Sequence, residues 1–303
     1  MASLCLGTVQ FGMKYGINNT LGQPAEEDVF RMLDVAIDRG IDVIDTARAY
    51  GTAELILGRY FDSRKNQKDI KIISKLRPNV IESGETDIRG IVRQECEETL
   101  RRLRIECLDG YLLHTPGYIR DPKIVDALLY LKELKLVKNI GVSIYEIEDG
   151  DVAVSTGAVD YIQLPYSVFD QRGMKEGFIP KAKNAGIKIF TRSAFLQGLF
   201  FMEDERIPAH LNDAKQYLKV IHSVLDKYDL KMADLLLQFV TQEDLIDYLV
   251  FGVDTVDQLQ EDIASFHENA VPAEAINEIK SSLGEIDKSI IFPSLWSNGK
   301  KAE

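Results

Sequence analysis

The sequence predicts an α/β chain folded as one (β/α)8 barrel, a TIM barrel, and three observations predict it. Eight short apolar runs recur along the 303 residues, each pair far enough apart to hold a helix between them. The intervening segments carry apolar residues at helical period. Polar residues stand at the ends of the early runs: Asp45, with Tyr50 on the loop behind it, then Lys75 and His114. Parallel strands in such a fold gather their ends around one mouth, so residues distant in sequence meet there.

The elements follow in order. The first strand is expected at Ser3–Gly7 and a helix at 25–39, where Val29, Met32, Leu33 and Ala36 share a face. A strand at 42–45 and a helix at 52–61 come next, then a strand at 70–74 and a helix at 88–103 that keeps Ile91, Val92, Cys96 and Leu100 together. Strands at 107–113, 139–142, 161–164, 188–191 and 248–251 alternate with helices at 122–135, 144–155, 175–185, 231–241 and 256–266. Several strands are near-continuous apolar runs, as parallel strands buried on both faces should be. The seventh connection, 193–228, is long and is expected to hold its own helix at 214–227. The single domain covers 1–303, with an added helix and an apolar tail at about 272–303; the helix, expected at 272–283, starts at Pro272.

Composition narrows the class. No apolar run approaches the roughly 18 residues of a membrane span, and the N-terminus lacks the basic flank and apolar stretch of a signal peptide. A cytoplasmic protein without membrane contact is expected. The net charge of −12 argues against nucleic-acid binding. Cys5, Cys96 and Cys107 lack metal-type spacing and are odd in number, which suggests reduced thiols. His114, His210, His222 and His267 are too dispersed to suggest a ligand set, so no metal is expected. Oligomeric state is not legible.

The strand-end residues make chemical sense together. A tyrosine hydroxyl has an ordinary pKa of about 10, and a neighbouring ammonium lowers it by favouring the phenolate. Lys75 is placed to supply that charge to Tyr50, Asp45 to hold Lys75, and His114 to orient a carbonyl or share its proton. Asp45-Thr46-Ala47-Arg48-Ala49-Tyr50-Gly51, followed by Glu54 and Gly58, resembles the aldo-keto reductase signature. Ile73-Ser74-Lys75 and Leu112-Leu113-His114-Thr115-Pro116 resemble the same family's Lys and His motifs, and the likeness runs from about residue 4 to about residue 266. The resemblance implies a catalytic tetrad of Asp45, Tyr50, Lys75 and His114, with Tyr50 the general acid and a small carbonyl compound the substrate. Members of that family usually begin with a short β-hairpin that plugs the barrel floor. Here the first strand is expected almost at once, so something else must cover the floor or it stays partly open.

No G-x-G-x-x-G follows a strand, so a Rossmann-type site is not expected. The resemblance implies instead a dinucleotide, NADPH or NADH, lying across the barrel mouth. Ser143 and Gln163 would bind the nicotinamide carboxamide and Tyr166 would stack on the ring. Ile144 stands where the family often has Asn, so one amide contact is lost or replaced. The stretch from Thr191 to Gly198, with Arg192, Ser193, Phe195 and Gln197, resembles the segment that wraps the pyrophosphate. Gly252, Asp254, Gln258, Glu261 and Asp262 resemble the adenosine site, and Gly7 and Thr8 are counted among the cofactor contacts. A phosphorylated cofactor usually meets Ser, Lys or Arg. This chain offers Asp254 and Thr255, with no Lys or Arg between Gly252 and Asp262, which favours a free ribose hydroxyl.

The function expected is NAD(P)(H)-dependent reduction of an aldehyde or ketone. Leu6-Gly7-Thr8-Val9-Gln10-Phe11-Gly12 and Arg192-Ser193-Ala194-Phe195-Leu196-Gln197-Gly198 resemble the branch of the family associated with bacterial surface-sugar pathways, which implies a sugar-derived substrate. Arg48 is a candidate for an anionic substrate group and Trp296 for shaping the pocket. Two rivals stand beside this reading: a non-catalytic, cofactor-binding regulatory subunit, and a barrel hydrolase or lyase using Lys75 as a Schiff base.

Overall fold

The computed structural model describes residues 2–64 and 70–300, the last four by backbone alone. Eight parallel strands close into a barrel in sequence order: β1 (Ser3–Gly7), β2 (Val43–Asp45), β3 (Lys71–Leu76), β4 (Leu108–Leu113), β5 (Val137–Ser143), β6 (Tyr161–Pro165), β7 (Lys188–Arg192) and β8 (Tyr248–Gly252). The seam is β1 against β8, paired from Ser3↔Tyr248 to Gly7↔Gly252. The barrel helices are α1 (Glu26–Asp38), α2 (Ala53–Ser63), α3 (Ile88–Leu103), α4 (Pro122–Glu133), α5 (Ile147–Thr156), α6 (Phe178–Asn184), α7 (Met232–Thr241) and α8 (Val256–His267). Every expected strand and helix is present to within a few residues, with one division. The helix expected at 175–185 begins only at Phe178 as α6, and a short helix at Arg172–Lys175 precedes it, because Gly177 between them takes the left-handed φ of +76°. The long connection carries short 3-10 turns before its helix, Ala214–Tyr228.

Strand side chains alternate between two cores. Outward residues such as Leu4, Leu6, Ile44 and Ile72 join the large core beneath the helices, where α1 buries Val29, Met32, Leu33 and Ala36. Inward residues form a small separate layer inside the barrel: Cys5, Val43, Ile73, Leu112, Tyr161, Phe190 and Val250. One more inward step along each strand, two residues toward its C-terminal end, leads to Gly7, Asp45, Lys75, His114, Gln163, Arg192 and Gly252. Period two therefore raises the whole set of polar and glycine positions to one level above an apolar base.

At that base the barrel closes on its own side chains. Phe190 stacks on Tyr248 at 4.5 Å between ring centroids and leans on Tyr161 at 5.1 Å. The Tyr161 hydroxyl donates to Asp109 Oδ2 at 2.9 Å, and Lys71 Nζ meets Asp42 at 2.7 Å beside them. This aromatic layer, with a polar rim in reach of water, is what covers the floor.

Beyond α8 the chain adds a helix at Ala273–Ser282 and a short one at Lys288–Ile291. Phe292 then packs edge-on against Tyr145 at 5.3 Å, with the Arg172 guanidinium 4.7 Å over its ring. The tail is thereby fixed to the end of the barrel where the strands finish.

Candidate active site

Lys75 and Asp45 are the buried centre of the site. Lys75 Nζ donates to both carboxylate oxygens of Asp45 at 2.7 Å, to the Thr46 carbonyl at 3.0 Å and to the Tyr50 hydroxyl at 3.4 Å. Both residues are about fully buried, Lys75 at 1% and Asp45 at 2% exposure, so the pair is formed out of water. Gln163 Nε2 donates to Asp45 Oδ1 at 2.8 Å, and the Ser143 hydroxyl approaches Gln163 Oε1 at 3.5 Å. Tyr50 and His114 meet edge to face, 5.9 Å apart and perpendicular. The four residues singled out from the sequence are thus brought together.

Tyr50 is held there by close backbone packing. A Cβ on Gly12 would fall 1.8 Å from the Tyr50 carbonyl oxygen and 2.4 Å from the Ala53 nitrogen. Only glycine allows the turn after β1 to press against the loop that carries the tyrosine. The motif's Glu54 faces the other way: it is buried on α2 and accepts from the Ser74 hydroxyl at 2.8 Å, docking the helix onto β3.

The electrostatics differ from the expectation in one respect. Burial, then the Asp45 charge, raises Tyr50 above the ordinary phenol range, with Arg192 opposing. The ammonium of Lys75 is matched by Asp45, which limits what it offers the phenol. Tyr50 is therefore protonated at neutral pH, the state a proton donor requires. His114 is pushed down to about 3, by burial first and then by the Lys75 and Arg192 charges, so it is a neutral imidazole.

A cavity of about 750 Å³ opens over this centre. Its wall includes Asp45, Tyr50, His114 and Arg192 at one end and Asp254, Gln258, Glu261 and Asp262 at the other, with Gly7, Thr8, Ser143, Gln163, Ser193, Phe195, Gln197 and Gly252 also lining it. Three of the sequence candidates lie elsewhere. Tyr166 is buried against Phe239 of α7, ring centroids 5.4 Å apart, and has no face for a nicotinamide. Arg48 lies among Glu54, Glu95 and Glu98 at 3.8 to 3.9 Å, a cation held between α2 and α3. Trp296 donates its indole N–H to the carbonyls of Ser289 and Ile290, packing the tail on itself.

Other wall residues had no signal in the sequence. Tyr15 accepts from Gln197 Nε2 at 3.1 Å, and Asn19 donates to Asp254 Oδ1 at 2.9 Å, so the loop after β1 crosses to the far rim. Gln10, Tyr145 and Lys231 also line the cavity. Apart from Gln10, on a one-turn helix at Val9–Gly12, these come from loops, where no periodicity marks a face. Nearby signals existed for Gln10, inside the motif 6–12, and for Tyr145, two residues past Ser143.

The sequence model of the aldo/keto reductase family matches residues 3–283. The chain belongs to the aldo/keto reductase family. Members of this family are NAD(P)H-dependent carbonyl reductases. Among curated sequences, the chain is 26% identical over 194 residues to the aldo-keto reductase YhdN of Bacillus subtilis, an alignment spanning 61% of this chain and 57% of that protein. It is 23% identical over 267 residues to the uncharacterized oxidoreductase YqkF of the same organism, spanning 82% of this chain and 86% of that one. Among solved structures, the aldo-keto reductase AKR11C1 from Bacillus halodurans superposes with a TM-score of 0.76 at 22% identity, covering 93% of this chain and 92% of that one. The barrel is thus that of known aldo-keto reductases.

The residues present fit the family's cofactor. The cavity wall runs from the tetrad to a polar far end, where Asp262 Oδ2 is buried without a partner. Gln10 Oε1, between the ends, is likewise a buried acceptor without a donor. Buried acceptors of this kind call for donors from a ligand. Burial and Glu261 raise the Asp262 carboxyl to about 7. Among the described residues no cluster of His, Cys, Asp and Glu is suited to a metal, and no helix is long and apolar enough to cross a membrane.

Proposed function

We propose that this aldo/keto reductase reduces a sugar-derived aldehyde or ketone in the cytoplasm, with Tyr50 as the proton donor. The observation that carries the reading is the Asp45–Lys75–Tyr50 chain of contacts beside a neutral His114, at the catalytic end of a long cavity. NAD(P)H, when bound, supplies the hydride. Ser143 and Gln163 would hold the nicotinamide amide, and Ser193, Phe195 and Gln197 would flank the pyrophosphate. His114, neutral and in edge contact with Tyr50, orients the carbonyl oxygen. Tyr50 gives its proton to the oxygen as negative charge develops there, and Lys75 stabilises the phenolate that remains. The hydroxyls of Tyr15 and Tyr145 and the guanidinium of Arg192 line the catalytic end, which suits a substrate rich in hydroxyl groups. The free thiols of Cys5, Cys96 and Cys107 suit a reducing compartment. The test is loss of reduced-cofactor absorbance across a panel of sugar aldehydes and keto-sugars. Cofactor binding without turnover on any carbonyl would reduce the protein to a cofactor binder and overturn the reading.

The adenosine end favours NADH. Asp254 is half-buried and tied to Asn19, and Glu261 and Asp262 line the same cavity, as does Lys231. A 2′-phosphate beside Asp254 meets like charge, while a ribose hydroxyl meets an acceptor. Asp254→Ser is expected to tighten NADPH relative to NADH several-fold, the scale of a partly screened charge interaction of about 1 kcal/mol. Paired calorimetric titrations of wild type and variant check it. An equal change for both cofactors would show that Asp254 does not face the 2′ position.

A further inference from the structure

Arg192 closes β7, opposite Pro165 of β6 in register, and lines the catalytic end of the cavity. Its Nη2 donates to the Ile144 carbonyl at 3.1 Å and its Nη1 to the Ser193 hydroxyl at 3.3 Å. The guanidinium carbon lies 4.1 Å over the Tyr145 ring, which Phe292 of the tail braces from its edge. Ile144 directly follows Ser143, the last residue of β5. A side chain that starts on β7 and bonds just past β5 has to cross β6 beyond Gln163, which pairs in register with Ser143. Arg192 therefore flanks the Ser143–Gln163 pair, the two residues assigned above to the nicotinamide amide.

The charge of Arg192 is uncompensated. Lys75 has both oxygens of Asp45 at 2.7 Å. Arg192 has a carbonyl, a hydroxyl and a ring as partners, and among the described residues it makes no ion pair. Its field reaches the reacting centre, where it helps hold His114 neutral and opposes the upward shift of Tyr50.

We propose that Arg192 makes the site discriminate between the two redox states of its cofactor, binding the reduced form more tightly than the oxidised one. This rests on the placement of the nicotinamide at Ser143 and Gln163. The dihydronicotinamide ring is neutral and the oxidised ring carries a positive charge. A fixed guanidinium beside the ring raises the free energy of the oxidised form alone. In a half-buried mouth, an unpaired unit charge at close range is enough for about a tenfold difference in affinity after screening.

The experiment is calorimetric titration of wild type, Arg192→Gln and Arg192→Lys with NAD+ and with NADH, and with the phosphorylated pair. Gln keeps an N–H for the Ile144 carbonyl and removes the charge; Lys keeps the charge. The expected result is that the ratio of oxidised to reduced Kd falls about tenfold in Arg192→Gln and is largely retained in Arg192→Lys. Arg192→Met is a second uncharged variant should the Gln protein not fold. Equal weakening of both forms, or an unchanged ratio, would overturn the proposal and leave Arg192 as an anchor without redox preference. Failure of wild type to bind either form is a different outcome, which would remove the proposed function itself and this inference with it.

Discussion

Tyr50→Phe is expected to lower turnover by about 10²-fold or more, the usual scale for loss of a general acid, and to leave cofactor affinity within about twofold. The phenyl ring keeps its edge contact with His114 and its place over Lys75 Nζ, 5.1 Å from the ring centroid. What disappears is the hydroxyl at 3.4 Å from Lys75, the only group of the tetrad that is both protonated and exposed to the cavity. Water replaces it poorly, because a proton delivered through solvent arrives without fixed geometry. Reduction of an activated aldehyde, followed together with reduced-cofactor binding, separates the two effects. Turnover near wild type in Tyr50→Phe would mean that the proton comes from elsewhere, and the tyrosine mechanism would fall.

Much of this site was legible because it lies on strands. Period two fixes which residues of a buried strand face inward, so Asp45, Lys75, Ser143, Gln163 and Gly252 follow once their runs are recognised. The barrel then brings together positions that are far apart in the chain. Loop residues obey no such rule. Tyr15, Asn19 and Lys231 reach the cavity through backbone paths that depend on contacts elsewhere, such as the donation from Gln197 to Tyr15. Tyr166 misled for the opposite reason. It follows β6 directly, but the strand's alternation turns it away from the mouth, onto Phe239. Arg48 lies inside the tyrosine motif, yet three glutamates of α2 and α3 surround it, and nothing near Arg48 in sequence announces Glu95 or Glu98. The floor was invisible as well, since Tyr161, Phe190 and Tyr248 stack only when three strands stand side by side.

Lys75→Met should cost both activity and stability, and the stability loss is the larger structural signal. The methionine fills most of the lysine's volume but removes the donor to both oxygens of Asp45 and to the Thr46 carbonyl. Asp45 would keep one side-chain donor, Gln163 Nε2 at 2.8 Å, while remaining out of water. Breaking a buried ion pair by deleting one partner typically costs about 3–5 kcal/mol, because the remaining charge is uncompensated. Turnover should fall at the same time, since no ammonium then stabilises the Tyr50 phenolate. The two losses are separable by adding Asp45→Asn. A neutral amide at position 45 removes the stranded charge, so Asp45→Asn/Lys75→Met should recover part of the stability in urea denaturation and none of the turnover. If Lys75→Met were as stable as wild type, Asp45 would have found another counter-charge or opened to water. If the double variant regained activity, the role given to Lys75 in supporting the phenolate would be wrong. Stability and catalysis diverge here because the fold needs only that no charge is left alone at position 45, whereas the reaction needs a cation beside Tyr50.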